Sequence, residues 1–148
     1  MSTNFYYTPS FEPFSKFEAL HIGTISAGWE FMFQAFEEEE STLTFESQQS
    51  CLTLRVGVPA LKIKSAQDWR DFMNKSPGHI ADEYGTPYSQ DAFWLLVSGF
   101  SPKKTASGLV LRNHVDELYR SEHVFGKVDP SLCWKDLEGF AMLKREFS

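Results

Sequence analysis

Cysteine, long apolar runs and positive charge are all scarce in this chain, and each scarcity narrows what the protein can be. Two cysteines, Cys51 and Cys133, are too few for a disulfide scaffold, and the chain does not open with the charged, apolar and small-residue regions of a signal peptide. These features predict a cytoplasmic protein. No apolar stretch approaches the roughly 20 residues that span a bilayer, so we expect no membrane insertion.

Charge of one sign predominates. The chain has 14 Lys and Arg against 20 Asp and Glu, a formal net charge of -6. A surface that binds nucleic-acid phosphates needs clustered basic side chains, so direct nucleic-acid binding is not expected. An acidic surface can instead bind basic proteins, mimic DNA at their phosphate sites, or serve solubility alone.

Motifs that hold metals, cofactors or nucleophiles are also missing. None of the four histidines has a second histidine at the i, i+4 spacing of a helical metal site, and no cysteine pair has CxxC spacing. The glycines of GTISAG match neither a Walker loop nor a Rossmann fingerprint. We therefore expect no metal and no cofactor. The absence of a catalytic constellation favours a protein that is not an enzyme.

Aromatic residues, by contrast, are abundant. Fourteen Phe, five Tyr and four Trp in 148 residues can supply the core of one globular domain. Residues 29–34 alternate large apolar residues with other residues, which is the period of a half-buried strand. Pro9 and Pro13 interrupt the start of the chain and predict extended segments rather than a long regular element. Residues 43–46 and 51–56 predict the two strands of a hairpin.

Two helices have clear start signals. Ser65 is an N-cap candidate with Asp68 three residues later, as in a capping box, and Ser89 precedes a second helix that ends near Gly99. Strands in runs, combined with two to three short helices, predict a single α+β domain with an antiparallel or mixed sheet. The other predicted elements are a helix at residues 113–121 and short strands at residues 61–64, 79–82 and 109–111.

Residues 21–29, HIGTISAGW, form the most distinctive stretch, and two interpretations are open. In the first, its glycines shape a turn that feeds the next strand, and Trp29 fills the core. In the second, the stretch contributes to a ligand pocket in which Trp29 stacks on a base and His21 donates a hydrogen bond or acts as a general acid or base. The residues of this pocket would be His21, Thr24, Ser26, Trp29, Asp82, Glu83 and Tyr84.

Several stretches together resemble a family of small uncharacterised tailed-bacteriophage proteins. They are TNFYY near the start, LHIGTISAGWEFMF, SAQDWRDFM, IADEYGTPYS and the terminal DLEGFAMLKREFS. The family's motifs are HIGKxSxGWxF, a DEYG turn and a terminal EGF followed by EFS. Where many members have a Cys-x-x-Cys pair, this chain has Phe11-Glu-Pro-Phe14, which implies that aromatic packing replaces a zinc knuckle. Thr24 stands where the family has Lys, and residues 37–61 resemble an added β-hairpin.

The resemblance implies a phage-encoded accessory protein that works in the cytoplasm of the bacterial host. With the acidic charge, it favours a binding protein that inhibits a bacterial defence or host system, of the anti-CRISPR or anti-restriction type. The alternative is a protein that sequesters or cleaves a nucleotide or signalling molecule at residues 21–29. The sequence leaves the identity of the partner and the oligomeric state open.

Four adjacent glutamates, Glu37, Glu38, Glu39 and Glu40, are the partner-binding residues that the inhibitor hypothesis selects. Adjacent like charges repel one another and favour solvent, so the run predicts a loop or a hairpin tip. In the inhibitor hypothesis it would contact a basic, nucleic-acid-binding host protein.

Overall fold

A computed structural model of the chain describes residues 2–10, 19–46, 53–58, 60–101, 111–120 and 131–144. The elements, in chain order, are β1 (Ser2–Pro9), β2 (Leu20–Ser26), β3 (Met32–Gln34), β4 (Phe36–Glu38), β5 (Ser41–Glu46), β6 (Thr53–Val58), β7 (Leu61–Ile63), α1 (Ala66–Lys75), β8 (Gly78–Asp82), β9 (Pro87–Tyr88), α2 (Gln90–Ser98), α3 (His114–Arg120), β10 (Cys133–Lys135) and β11 (Ala141–Leu143).

A seven-stranded sheet organises the described chain. Its order is β10-β11-β3-β2-β1-β8-β9, and two further two-stranded ladders join β4 to β7 and β5 to β6. Neighbours in the large sheet are antiparallel except β11 and β3, which are parallel. The mixed sheet and the three helices confirm the predicted α+β domain.

The main core lies between one face of this sheet and the helices α1 and α2. Trp69 and Met73 of α1 and Phe93 and Val97 of α2 are buried there. Burying a large apolar side chain of this kind stabilises a fold by about 1.5–3 kcal/mol. The sheet residues that pack in the same core include Phe5, Tyr7, Ile22, Phe31, Phe33 and Ile80.

A smaller cluster covers the opposite face at one end of the sheet. Val115 of α3 packs with Cys133 of β10 and with Ala141 and Leu143 of β11, and Met32 of β3 contacts the group. Cys133 is buried in this cluster with 4% exposure. Strand β3 is therefore covered on both faces.

The helix starts agree with the prediction. The hydroxyl of Ser65 accepts a hydrogen bond from the backbone N–H of Asp68 at 3.0 Å, and that of Ser89 accepts one from Ala92 at 3.1 Å. The capping box is modified, because the Asp68 carboxylate accepts from the backbone N–H of Lys64 at 2.9 Å rather than from Ser65.

Two strand predictions are wrong in detail. The start of the chain forms the eight-residue strand β1, because Pro9 stands at its last position, where the missing N–H leaves the rest of the ladder intact. In residues 29–34 only the end is a strand, and Glu30 and Gln34 are buried with 7% and 2% exposure. Polar positions of β3 are buried because both faces of the sheet are covered here.

Some predictions lie outside the described residues. These concern Phe11, Phe14, Cys51, residues 109–110 and the terminal residues 145–148. Within the described ranges, no helix has the length and apolar character required to cross a membrane.

Candidate functional site

A long hairpin projects the chain between β3 and α1. Phe36 pairs with Ile63 in the β4–β7 ladder, and Ser41 pairs with Val58 in the β5–β6 ladder. Ser41 is five residues after Phe36, and its partner Val58 is five residues before Ile63, so the two ladders share one register. We call the described residues of this region, 36–46, 53–58 and 60–63, the β-arm. At about 3.3 Å per residue, each of its strands is roughly 35 Å long.

The base of the β-arm packs in the main core, whereas the described contacts of its outer strands, β5 and β6, are mainly with each other. Leu61 and Ile63 are buried in the main core, and Phe36 packs against it. Among the described elements, β5 and β6 pack extensively only against each other. Thr42 and Thr53, whose side chains the structure describes, are exposed.

The glutamate run lies at the base of the β-arm and not at a hairpin tip, and the loop prediction is wrong for its first half, because only Glu39 and Glu40 lie outside the strands. Glu37 and Glu38 are in strand β4, where the cross-strand partners are Lys62 and Leu61. The strand forms because Phe36 is anchored in the core and the lysines of the facing strand reduce the repulsion between the carboxylates.

Basic side chains neutralise alternate members of the run. The Glu37 carboxylate contacts Nζ of Lys64 at 3.4 Å and Nζ of Lys144 at 2.6 Å, and Glu39 contacts Nζ of Lys62 at 3.6 Å. Hydrogen bonds from Lys144 and Lys64 lower the pKa of Glu37. Within the described chain no ion pair involves Glu38 or Glu40, and both are exposed.

The stretch at residues 21–29 is a strand followed by a tight turn. Residues up to Ser26 lie in β2, and the backbone N–H of Trp29 donates to the carbonyl of Ser26 at 3.1 Å. Gly28 in the turn has a φ of 83°, which favours glycine. The Thr24 side chain is buried, and its hydroxyl donates to the carbonyl of Thr3 at 3.2 Å.

Gly23 has a packing role. A Cβ at this position would lie 2.2 Å from the carbonyl oxygen of Met32 and 2.5 Å from a ring carbon of Phe31. The close approach lets the Phe31 ring pack directly on the β2 backbone.

His21 is connected through Asn4 to Glu83, another residue of the predicted pocket. Nε2 of His21 lies 3.1 Å from Oδ1 of Asn4, and its ring stacks on Tyr6 with centroids 5.1 Å apart. The backbone N–H of Asn4 donates to the Glu83 carboxylate at 3.0 Å. The structure therefore brings His21 and Glu83 to the same strand, β1, which separates β2 from β8 in the sheet.

Asp82 organises the turn between β8 and β9. Its carboxylate accepts hydrogen bonds from the backbone of Tyr84 and Thr86, both at 2.9 Å, and from the hydroxyl of Tyr88 at 3.1 Å. Burial acts to raise the pKa of Asp82, but these hydrogen bonds outweigh it and the pKa is lowered. The hydrogen bonds of the Asp82 carboxylate all lie within the β8–β9 hairpin, and Tyr84 is 69% exposed.

Trp29 belongs to a different group. Its ring stacks on His114 with centroids 4.4 Å apart, and the Arg112 guanidinium lies 5.8 Å from its centroid. Burial lowers the pKa of His114, which favours the neutral ring. Trp29 is half-buried rather than filling the core. His21 lies five residue steps along β2, about 17 Å, from Ser26, which is close to Trp29.

The sequence prediction missed a buried polar pair next to Trp29. The Asn113 side-chain amide donates to the Glu30 carboxylate and, at 3.1 Å, to the carbonyl of Gly139, while its oxygen accepts from the backbone of Val115 at 2.9 Å. Burial raises the pKa of Glu30 despite the Asn113 hydrogen bond and the nearby Lys135. The pair holds the start of α3 on the sheet.

The described residues contain no group of three or more His, Cys, Asp or Glu that could hold a metal ion. Comparison with protein-family models, curated proteins and solved structures finds no match to this chain.

Proposed function

We propose that this chain is a phage-encoded accessory protein that acts by binding, and that it inhibits a bacterial defence or host protein in the host cytoplasm. The inhibition would be of the anti-CRISPR or anti-restriction type. The partner would be a basic, nucleic-acid-binding protein. The observation that carries the proposal is the β-arm.

The outer half of the β-arm is a surface that a partner could complete. An isolated two-stranded ribbon is marginally stable in water, and β5 and β6 pack mainly on each other. Both edges of such a ribbon carry backbone groups that can pair with another chain. A partner that packs on this ribbon would supply the contacts that the rest of the described chain does not.

The charge at the base of the β-arm supports a basic partner. Glu38 and Glu40 are exposed without an ion pair in the described chain, and the whole chain carries a net charge of -6. Complementary charge speeds association and selects among partners. A nucleic-acid-binding protein presents the clustered basic residues that would match it.

The nucleotide hypothesis receives less support from the geometry. Trp29 already stacks on His114, and His21 lies at the far end of β2. The carboxylate of Asp82 is occupied by its own turn.

The test is affinity purification of the tagged protein from a bacterial host, followed by binding measurements with each purified candidate partner. Two variants address the β-arm. E38Q/E40Q removes two exposed charges, and a truncation replaces residues 42–57 with Asn-Gly, a two-residue turn that suits the facing pair Ser41 and Val58. The matched control is E83Q/D91N, which removes two exposed acidic charges elsewhere.

We expect a specific basic partner whose affinity falls at least tenfold in both β-arm variants, which is about 1.4 kcal/mol, and is unchanged in the control. The truncated variant should keep its thermal stability, because the β4–β7 ladder and the core are intact. A partner that binds all four proteins equally, or an eluate without a specific protein, would contradict the proposal.

A further inference from the structure

The turn between β10 and β11 holds a fully exposed leucine in a fixed position. Leu137 is 107% exposed. The Asp136 carboxylate beside it accepts hydrogen bonds from the backbone N–H groups of Glu138 at 3.0 Å and Phe140 at 2.9 Å, and from Ala66 at the start of α1 at 2.8 Å. Because these hydrogen bonds already order the backbone of the turn, burial of Leu137 by a partner would cost only the rotamer freedom of its side chain.

A pocket lies directly beside this leucine. Its volume is about 430 Å³. Its wall includes Trp94 and Val97 of α2, Phe140 immediately before β11, and Leu137 itself. Val97 and Phe140 are core residues with 1% and 3% exposure, so the wall they form is part of the rigid body. An apolar projection thus stands next to a pocket whose wall combines apolar side chains with Arg70, Glu138, Ser98 and Ser101.

The charges around the pocket cancel. The Arg70 guanidinium binds the Glu138 carboxylate through two hydrogen bonds of 2.8 and 3.1 Å, and it lies 4.5 Å from the centroid of the Trp94 ring. Both side chains line the pocket. Two copies of a chain with a net charge of -6 repel each other in general, but this surface carries one charge of each sign.

We propose that this surface binds a second copy of the chain, with Leu137 of each copy in the pocket of the other. A projection beside a matching pocket is self-complementary under a two-fold rotation, which is the geometry of an isologous dimer. Because Arg70 and Glu138 neutralise each other within each copy, they add no net repulsion between the two copies. The surface is small, so the dimer should be weak, with a Kd between about 1 µM and 1 mM. The proposal does not depend on the proposed function of the β-arm.

Sedimentation equilibrium of the full chain tests the proposal with L137D as the main variant and Y84D as the control. Both positions are exposed apolar residues on turns, so neither substitution should disturb the fold. We expect the wild type and Y84D to dimerise equally. Because each dimer buries two copies of Leu137, L137D should raise the Kd roughly a hundredfold or more. A wild type that stays monomeric up to about 1 mM, or an L137D variant that dimerises as well as wild type, would overturn the proposal.

A pocket-blocking variant sharpens the test. Ser98 is exposed and lines the pocket, so S98F should fill the pocket while leaving Leu137 in place. A dimer of either variant alone loses both leucine-in-pocket contacts. A mixed dimer keeps one of them, because Leu137 of the S98F chain can enter the open pocket of the L137D chain. An equimolar mixture should therefore associate more tightly than either variant alone. A mixture no better than its components would refute the paired arrangement, and circular dichroism checks that both variants are folded.

Discussion

The buried pair of Glu30 and Asn113 allows a demanding test of what holds α3 on the sheet. The substitution N113D changes a single group, because aspartate can still accept the hydrogen bond from Val115 that caps the helix. It removes the amide that donates to Glu30 and to the carbonyl of Gly139. It also places a second carboxylate against Glu30 at a site where Glu30 and Asn113 are 7% and 3% exposed.

The expected cost follows from electrostatics. Two like charges about 4 Å apart repel by roughly 4 kcal/mol at an effective dielectric constant of about 20. One of the two carboxyl groups can escape part of this repulsion by taking up a proton, which limits the cost at neutral pH. With the lost hydrogen bond to a charged group, worth about 1.5–3 kcal/mol, we expect N113D to lower the free energy of unfolding by about 3–4 kcal/mol.

Urea denaturation followed by circular dichroism measures this cost for wild type, E30Q, N113D and E30Q/N113D. The double variant should recover most of the loss, because the amide introduced by E30Q can donate to the carboxylate introduced by N113D. The cost of N113D should also shrink at about pH 5, where a shared proton relieves the repulsion. If the two single substitutions add within about 0.5 kcal/mol, Glu30 and Asn113 are not coupled and the reasoning fails.

Three further predictions concern packing, pH and a turn. G23A should lower the free energy of unfolding by at least about 3 kcal/mol, because its methyl group would overlap the Met32 carbonyl. G28A has open space around the added methyl group and should lower it by about 1–2 kcal/mol because of its positive φ. Equal losses for the two variants in urea titrations would contradict this prediction. Because burial raises the pKa of Glu30 above 4.5, the native state holds that proton more tightly and stability falls as pH rises from about 4.5 through the folded pKa. E30Q should abolish this fall in stability, and a pH profile of stability unchanged by E30Q would contradict the prediction. D136A should cost about 2–4 kcal/mol through three lost backbone hydrogen bonds, with faster hydrogen exchange at Ala66 N–H as its local signature.

Features set by neighbouring residues were predictable from the sequence. The caps at Ser65 and Ser89 depend on a hydroxyl and a backbone N–H three residues away, so the sequence contains the whole interaction. The hairpin strands β5 and β6 follow from a local run of strand-forming residues. The observed register of β5 and β6, extended to the base of the β-arm, places Lys62 opposite Glu37.

Features that depend on distant pairing were not predictable. Glu30 and Asn113 are 83 residues apart, and neither has a local signal for burial. Gln34 is buried because its amide donates to the carbonyls of Leu143 and Lys144, both at 3.1 Å, on a strand that joins β3 in parallel. A single sequence does not indicate which strand will lie beside β3, and alternation alone predicts one polar face and one apolar face.

The position of the glutamate run at the base of the β-arm, with Glu37 and Glu38 in β4, changes how its function has to be tested. Glu37 links β4 to Lys64 and Lys144, at the ends of two other strands, so it contributes to the attachment of the β-arm. The lowered pKa of Glu37 means that this contribution is present above its ordinary pKa of 4.5 and is lost as pH falls through its folded value. Replacing all four glutamates by alanine would therefore alter the attachment and the exposed charge together. Only Glu38 and Glu40 report on a partner alone, because their carboxylates contribute no ion pair to the described fold.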